Sequence, residues 1–475
     1  MDLTDEVTRK AYQSGADLVG IAPVDRFQGA PLRMSPQGLL PEARSVIVVA
    51  IHHPDAAVEL GGEPTPHESG PYNIQGIMNW MLDDISFSLA RFLEDKGYPT
   101  LPIAASNIWR YKGYKDLKVN FAPDLAHRYA AVAAGLGEIG WSGLFLSPQF
   151  GPRQRVVSVI TTARLTPTPM YDGPALCDRC LACVKNCPTD AFRKEVVRIN
   201  EIEIGGKKFR FPETNKWRCA WAENFCLNLA LPLPEKITEE VILRNLEKYG
   251  WRAGEEGCCL RFCMVPERRW YDTGYSRAPR RKREKALKTP EELFQEIKTV
   301  FQGSGLKAMA VGGLELFRKE ELVHPEYHLP EVTSVISLAV SLPEGIINCR
   351  EWETALYRRL AYTGFRISQL LERYGYSALS SSRIDSLQVA RVLGLLAEKN
   401  QYLTVLTSAR VKEGVARKKS VGKPISPELL RNFCRKSGAD LVGFFSAARY
   451  EKFYQAFRKS EMVPGERPAV VDRAF

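Results

Sequence analysis

The sequence lacks any segment that could cross a membrane and any sign of an export signal. No run of about 18 uncharged apolar residues occurs in it, so we expect no transmembrane helix. The N-terminus, Met1 to Val7, is acidic and has neither the basic start nor the apolar stretch of a signal peptide. No twin-arginine pair precedes the first predicted domain. We therefore expect a cytoplasmic protein.

Acidic residues are fewer than basic residues in the sequence. The chain has 66 Lys and Arg against 55 Asp and Glu, a formal net charge of +11. Such an excess suits an anionic partner such as RNA, or only a solvated basic surface. Much of it lies in one run, Arg277 to Lys288, which we interpret as a linker, with nucleic-acid contact as the alternative.

Cysteine is nearly absent outside one part of the chain. Nine of the 11 cysteines lie between Cys177 and Cys263, and in a reducing compartment this concentration favours metal or cluster ligation over disulfides. The remaining two, Cys349 and Cys434, are expected to be small buried residues.

The sequence repeats itself in a fixed order. Four matched pairs of segments show this: 14–20 with 437–443, 40–47 with 329–336, 92–98 with 370–376, and 156–164 with 402–410. A diverged middle version of the first segment is Ser304 to Gly312. Residues 1–170 and 291–412 are therefore predicted to be two versions of one domain, the second degenerate, and residues 426–475 the opening of a third copy that is cut short.

Within each copy, apolar strands alternate with helices. In the first copy we predict strands at 18–22, 45–51, 101–104 and 155–162, a long amphipathic helix over 72–97 and a shorter helix over 125–136. This order indicates an α+β sandwich. The cysteine-rich segment 171–290 interrupts the repeat and contains a predicted hairpin, 196–211, that turns at Gly205-Gly206. Because the second copy has neither the cysteines nor the glycines of the first, we predict an internal pseudo-dimer in which it is the structural half.

The cysteine spacing predicts a [4Fe–4S] centre. Cys177, Cys180, Cys183 and Cys187, followed by Pro188, form the run C-x2-C-x2-C-x3-C-P, in which the fourth cysteine ligates the other cluster of a two-cluster protein. Zinc instead uses two separated cysteine pairs.

A second, degenerate set of ligands follows: Cys219, Cys226, Cys258, Cys259 and Cys263. By the crossover rule, cluster one takes Cys263 as its fourth ligand. Cluster two takes Cys187, one of Cys219 or Cys226, and Cys258 or Cys259 or both.

A glycine-rich turn precedes the cysteines. Gly135, Gly137, Gly140 and Gly143 follow a small-residue helix and not a strand, so the pattern does not favour a dinucleotide site, and a tight packed turn is the simple explanation. The second copy, however, lacks this series of glycines. Their presence only beside the cysteine-rich segment favours a cofactor role.

This chain resembles the cobalamin-dependent reductases, that is, epoxyqueuosine reductase and the reductive dehalogenases. The resemblance lies in the sequences, and in the order along the chain, of the segments 133–144, 148–153 and 156–162 and of the ferredoxin run. The resemblance covers about residues 1–270. It implies a nitroreductase-like cobalamin-binding module with an inserted bacterial two-[4Fe–4S] ferredoxin domain, and it adds Arg153 to the four glycines as cofactor contacts. Electrons from a ferredoxin or flavodoxin would pass through the clusters to a base-off cobalamin, which would reduce a small organic or modified-nucleoside substrate.

The sequence departs from this family at the expected proton donor. The family pattern D-x-x-P-x-x-E-R aligns with 120–128, where Asp124 follows Pro123 and is out of register. Asp124, His127 and Tyr129 are the candidate catalytic residues. The helical repeats that bind tRNA are also missing from the C-terminal part. The alternative function is a 4Fe–4S electron-transfer protein that serves a partner's cofactor without cobalamin. A nucleic-acid-binding iron–sulfur protein is a third hypothesis, based on the basic run.

Overall fold

The structure is a computed structural model. It describes residues 2–60, 71–106, 123–223, 225, 227, 231–250, 257–341, 350–381, 383–397, 400–418, 426–436, 439–444 and 448–449. The chain divides into two compact units, one of residues 1–342 and 353–416 and the other of residues 343–352 and 417–475. Within the described ranges, no helix is long and apolar enough to span a bilayer.

The first module of the larger unit is a mixed α/β arrangement around one antiparallel sheet. Its elements are α1 (Leu3–Ser14), β1 (Leu18–Pro23), α2 (Pro36–Leu39), β2 (Ser45–His52), α3 (Asp55–Glu59), α4 (Pro71–Glu94), β3 (Thr100–Pro102), α5 (His127–Ala133), β4 (Glu138–Ile139), β5 (Phe145–Leu146) and β6 (Gln154–Thr161). The sheet order is β1-β2-β6-β3.

Strand β2 is buried along its whole length because helices cover both faces of the sheet. Ile47, Val49 and Ile51 point into a core that includes α1 and α4, while the alternate residues Val46 and Val48 point into a core with α5. The long apolar run 45–51 is therefore a central strand, as its composition predicts.

The cysteine-rich segment forms short elements joined by long loops. They are α6 (Ala182–Lys185), β7 (Ile199–Ile204), β8 (Lys207–Pro212), α7 (Lys216–Glu223), α8 (Glu239–Tyr249), α9 (Cys258–Arg261), β9 (Arg269–Trp270) and β10 (Arg280–Arg281). The predicted hairpin is confirmed: β7 pairs with β8, and Gly205 and Gly206 turn with φ of +56° and +81°.

The second module has the main helices and the sheet strands of the first in the same order. They are α10 (Pro290–Gly303), β11 (Ala308–Gly313), α11 (Pro325–His328), β12 (Ser334–Ser341), α12 (Arg350–Arg373), β13 (Ala378–Ser381), α13 (Ser386–Val392), β14 (Asn400–Thr407) and β15 (Gly414–Arg417). Its sheet reads β13-β14-β12-β11-β15, which is the order of the first sheet with one strand added at an edge. The register also matches, because Ser45 faces Thr161 in the first sheet and Ser334 faces Thr407 in the second.

The two modules share a hydrophobic core. Met78 and Leu82 of α4 belong to the same buried cluster as Phe365 of α12 and Leu379 of β13. Polar contacts accompany the packing, since the Tyr362 hydroxyl donates to Asp84 at 2.8 Å and the Arg366 guanidinium to the carbonyl of Ser14 at 3.0 Å. Separating the modules would expose this core to water.

The basic run 277–288 is not a solvated linker along its whole length, which corrects our interpretation. Arg280, Arg281 and Arg283 have buried side chains that pair with carboxylates of both modules. Burying an unpaired charge is costly, so these arginines are stable there because Asp55, Glu59 and Glu331 neutralise them, while Glu372 accepts a hydrogen bond from Arg283. They are not available to nucleic acid in this arrangement.

The smaller unit contains α14 (Pro427–Lys436). Its apolar residues Leu429 and Phe433 are exposed by 60% and 63%. The adjoining residues 439–444 of the repeated motif form no strand, and most of 445–475 lies outside the described residues.

Candidate functional site

The structure brings four cysteines together around one cavity. Cys177 and Cys180 lie on the loop that leads into α6, and Cys183 lies within α6. Cys263 follows α9, which packs against α6. The loop turns tightly because Arg179 and Leu181 adopt positive φ values of 55° and 59°. Cys263 is therefore beside the first three cysteines of the run, while Cys187 is not in this group.

Residues around this first cysteine group form a hydrogen bond to one of its sulfurs and an ion pair that fixes its loop. The backbone N–H of Trp141 donates to Cys177 Sγ at 3.3 Å. Asp178 forms a two-bond ion pair with Arg269, at 2.8 and 3.0 Å, which ties the loop to the segment after Cys263. Cys180 is exposed and Cys183 is buried, so the group lies at the edge of the protein.

A second group contains Cys187, Cys219, Cys258 and Cys259. Burial, then the neighbouring Cys187, raises the pKa of the Cys219 thiol to about 12. Burial, together with Glu223 and the other three cysteines, raises the pKa of Cys259 well above its usual value. The N–H of Ala191 donates to Cys187 Sγ at 3.3 Å. The remaining candidate, Cys226, lies outside the described residues.

The chemistry of both groups suits a polynuclear cationic centre. In the first group, burial and the adjacent Cys177 and Cys180 raise the pKa of Cys183 to about 11, and the pKa of Cys263 is raised as well. Thiols crowded in this way cannot all ionise unless a cation compensates their charge.

The spacing of the sulfurs argues against a single zinc ion. Zinc–sulfur bonds of about 2.3 Å in a tetrahedron place the sulfurs roughly 3.8 Å apart. Within the described ranges, the one set of three ligand atoms that lie within 4.8 Å of each other is His52, Asp55 and Glu372, with no cysteine in it. The cysteines are thus spread more widely than one ion requires, which fits a cluster.

The glycine-rich turn is packed against protein. A Cβ at Gly135 would lie 1.9 Å from the carbonyl of Pro169, and a Cβ at Gly137 would lie 1.9 Å from the carbonyl of Leu146. Gly140 faces the side chain of Leu146, and Gly143 faces Phe211 of β8 and Arg128. Among the described residues, these four glycines therefore have a packing role.

Comparison of the modules explains why the second one lacks this series. Gly394 follows α13 as Gly135 follows α5, and both have positive φ, but an added Cβ at Gly394 would meet nothing within 4 Å. The first module needs further glycines because Leu146 of β5, Phe211 of β8 and the chain at Pro169 press against the turn. Absence from the second copy is thus explained without a cofactor.

The three candidate catalytic residues lie near the start of α5. Both ring nitrogens of His127 are occupied, Nδ1 with the Ser158 hydroxyl at 2.9 Å and Nε2 with the carbonyl of Ala104 at 2.8 Å. Burial lowers the pKa of His127 to about 4, so it is neutral and structural. Asp124 and Tyr129 are both half-buried, and the Tyr129 ring lies 5.0 Å from the Arg128 guanidinium.

Arg153, a predicted cofactor contact, is fully buried in the ion-pair network. Its guanidinium donates to Glu59 at 2.7 Å, to Asp55 at 3.2 Å and to the carbonyl of Pro279 at 2.5 Å. It joins α3 to the run 277–288. No part of its side chain is exposed to a ligand.

Sequence reasoning did not single out Arg128. Its guanidinium donates to the carbonyl of Gly143 at 2.9 Å, and its charge lowers the otherwise raised pKa of Cys219. It therefore connects the glycine turn with the second cysteine group. The arginine of the aligned family pattern was the signal that could have identified it.

Comparison with known proteins gives partial matches to two kinds of reductase. No family model matches the chain. It is 35% identical over 107 residues to tetrachloroethene reductive dehalogenase of Dehalobacter restrictus, covering 20% of this chain and 19% of that protein. It is 26% identical over 253 residues to epoxyqueuosine reductase of Gloeobacter violaceus, covering 52% of this chain and 66% of that protein.

The resemblance to the cobalamin-dependent reductases is confirmed. A crystal structure of selenomethionine-labelled epoxyqueuosine reductase aligns at 19% identity and a TM-score of 0.34, over 54% of this chain and 64% of that one. The chain spans about a fifth of the dehalogenase and at most two thirds of the reductase.

Proposed function

We propose that this protein is an iron–sulfur oxidoreductase that passes electrons through two [4Fe–4S] clusters. Cys177, Cys180, Cys183 and Cys263 bind the first cluster. Cys187, Cys219 and Cys259 bind the second, with either Cys258 or Cys226 as its fourth ligand. The observation that carries the proposal is the position of Cys263, which is distant in sequence from the other three cysteines yet lines the same cavity.

Exposure suggests the direction of electron flow. Cys180 and Leu181 of the first group are exposed, Leu181 by 39%, whereas Cys258 of the second group is buried. A soluble one-electron donor such as a ferredoxin or flavodoxin would approach the first cluster, and the second would pass electrons inward. The crossover of ligands, with Cys187 adjoining the first motif, keeps the two clusters close.

The polypeptide tunes the clusters through hydrogen bonds to their sulfurs. The N–H groups of Trp141 and Ala191 point at Cys177 and Cys187. Such donors stabilise the more negative, reduced state of a cluster and so raise its reduction potential.

Cobalamin is implied by the resemblance, but the residues predicted to hold it do not fit that role in the described part of the chain. The four glycines face protein atoms and Arg153 is enclosed by carboxylates. The electrons would reduce a small organic or modified-nucleoside substrate, and an electron carrier for a partner's cofactor is the competing function.

Anaerobic reconstitution with iron, sulfide and hydroxocobalamin separates these possibilities. We expect about eight irons per chain and electron paramagnetic resonance signals of two reduced clusters. A bound base-off Co(II) signal would establish a corrinoid acceptor, whereas eight irons without it would favour the carrier. About four irons would contradict the two-cluster proposal.

A further inference from the structure

Three potential metal ligands lie together where the two modules meet. His52 ends β2, Asp55 begins α3, and Glu372 belongs to α12 of the second module. One ligand atom of each lies within 4.8 Å of the other two. The three residues are exposed by only 5%, 0% and 3%. An imidazole with two carboxylates is a donor set that suits a divalent transition-metal ion.

Two atoms of this group have no hydrogen-bond partner among the described residues. They are His52 Nε2 and Glu372 Oε2, and both are buried. His52 Nε2 lies 3.4 Å from Asp55 Oδ1, and His52 Nδ1 lies 3.8 Å from Glu372 Oε2, which is too far for a good hydrogen bond. Buried polar atoms are rarely left unpaired, so these two atoms point to a ligand.

The spacing of these atoms suits an ion that is smaller than a water molecule. Metal–nitrogen and metal–oxygen bonds of about 2.0–2.2 Å, at a tetrahedral angle, place two ligand atoms roughly 3.4 Å apart. His52 Nε2 and Asp55 Oδ1 have this separation. A bare ion fits between atoms that are too close together to admit water, so their burial does not exclude a metal.

A partly open cavity of about 290 Å³ adjoins the group and provides a route for the ion. His52 and Glu372 line it, together with Phe150, whose ring stacks on that of His52 at 4.2 Å. Three protein ligands leave at least one coordination position free, and a water molecule from the cavity would complete it.

The arginines nearby do not remove the negative charge of the group. The connected ion pairs join five carboxylates, Asp55, Glu59, Asp272, Glu331 and Glu372, to four arginines, Arg153, Arg280, Arg281 and Arg283. With Glu372 ionised, as a metal ligand must be, this network has one negative charge in excess.

Hydrogen bonds hold both carboxylates in place. Arg153 and Arg281 donate to Asp55, and the N–H of Ala56 donates to Glu372 Oε1 at 3.2 Å. Ligating carboxylates are typically oriented by hydrogen bonds of this kind.

We propose that His52, Asp55 and Glu372 bind one divalent transition-metal ion. Two of the ligands belong to the first module and one to the second, so the ion joins the modules. The site uses no cysteine, and it therefore stands or falls independently of the proposed clusters.

Mn²⁺ is the probe, because it prefers oxygen and nitrogen ligands to thiolates and is paramagnetic. The reconstituted full chain should take up about one Mn²⁺. Electron spin echo spectra of the bound ion should show coupling to an imidazole nitrogen. Glu372→Gln, which keeps the shape of the side chain, should weaken Mn²⁺ binding at least about tenfold. His52→Gln should do the same and remove the imidazole coupling.

The exposed pair of His324 and Glu326 provides the matched control, since Glu326→Gln should leave Mn²⁺ binding unchanged. Circular dichroism and iron content are compared for every variant. Mn²⁺ bound with imidazole coupling to a protein of low iron content would support this site while counting against the clusters. The proposal is overturned if Mn²⁺ binding does not saturate, lacks imidazole coupling or survives at full affinity in both Glu372→Gln and His52→Gln.

Discussion

At the scale of residues, the sequence did not predict the network in which Asp55, Glu59 and Glu372 pair with four arginines. These side chains come from α3, α12, the end of the β5–β6 loop and the run 277–288, which are far apart in the chain. Composition shows the excess of arginine but not its partners, because the pairing depends on the tertiary fold. The same limit applies to Arg153, whose place in a family-like motif suggested a cofactor.

A substitution at Arg153 tests whether this residue has a structural role or binds a cofactor. Replacement by Met should destabilise the cofactor-free protein by about 3–5 kcal/mol, because two buried carboxylates lose a partner. Chemical denaturation measures this, with Arg193→Met at an exposed ion pair as the control. Unchanged stability of the Arg153→Met protein combined with loss of corrinoid binding would contradict the structural role.

The raised pKa of Glu372 allows a prediction of how the stability of the protein depends on pH. Burial, then the nearby Asp55, raises the pKa of Glu372 to about 8, above the ordinary value of 4.5. Folding thus favours its protonated form, so this carboxyl costs nothing below pH 4.5 and reduces stability increasingly as the pH rises towards 8. His52, Arg281 and Arg283 also face the group and moderate the effect.

The Glu372→Gln variant should therefore gain stability over the parent protein as the pH increases from 5 to 8, by on the order of 1–3 kcal/mol. Thermal melting of the two proteins across this range gives the comparison. A constant difference between their melting temperatures would show that Glu372 does not titrate there.

At the scale of elements, local pattern was sufficient for the sheets and helices of the first module. The predicted strand 45–51 corresponds to β2 at Ser45–His52, and the predicted helix 72–97 corresponds to α4 at Pro71–Glu94. The helix expected over 125–136 is shorter, His127–Ala133, because Gly135 turns the chain with positive φ. The purpose of the other glycines could not be predicted, since it depends on packing against β5 and β8.

Gly137 tests that packing role. Gly137→Ala places a Cβ against the carbonyl of Leu146, so we expect a loss of roughly 2–4 kcal/mol and poorer iron loading, because the turn also positions the N–H of Trp141. Gly394→Ala should cost only about 1 kcal/mol, since its added Cβ meets open space. Equal losses in the two variants would contradict the packing explanation.

At the scale of the whole molecule, the two modules and the cysteine-rich segment belong to one compact unit, residues 1–342 and 353–416. The shared core of α4 and α12 and the arginines of the run 277–288 both join the first module to the second. The internal repeat predicts a pair of modules from sequence alone. The buried charges between them could not be anticipated.

The contacts between the modules predict the effect of deleting residues 291–475. The remaining chain should be insoluble or poorly loaded with iron, because Phe365 and Leu379 no longer cover the core and Glu372 no longer pairs with Arg283. Measuring the soluble yield and the iron content per chain of the truncated protein tests this prediction. A soluble and fully loaded remainder would mean that the second module is dispensable.

Iron content of the Cys263→Ser protein tests the central claim most directly. Cys263 is near Cys177, Cys180 and Cys183 only in the folded chain, and the account assigns it to the first cluster. After anaerobic reconstitution we expect the parent to hold about eight irons, Cys263→Ser to hold about four with one reduced-cluster signal lost, and the control Cys434→Ser to match the parent. A Cys263→Ser protein with the full iron content and both signals would contradict the account.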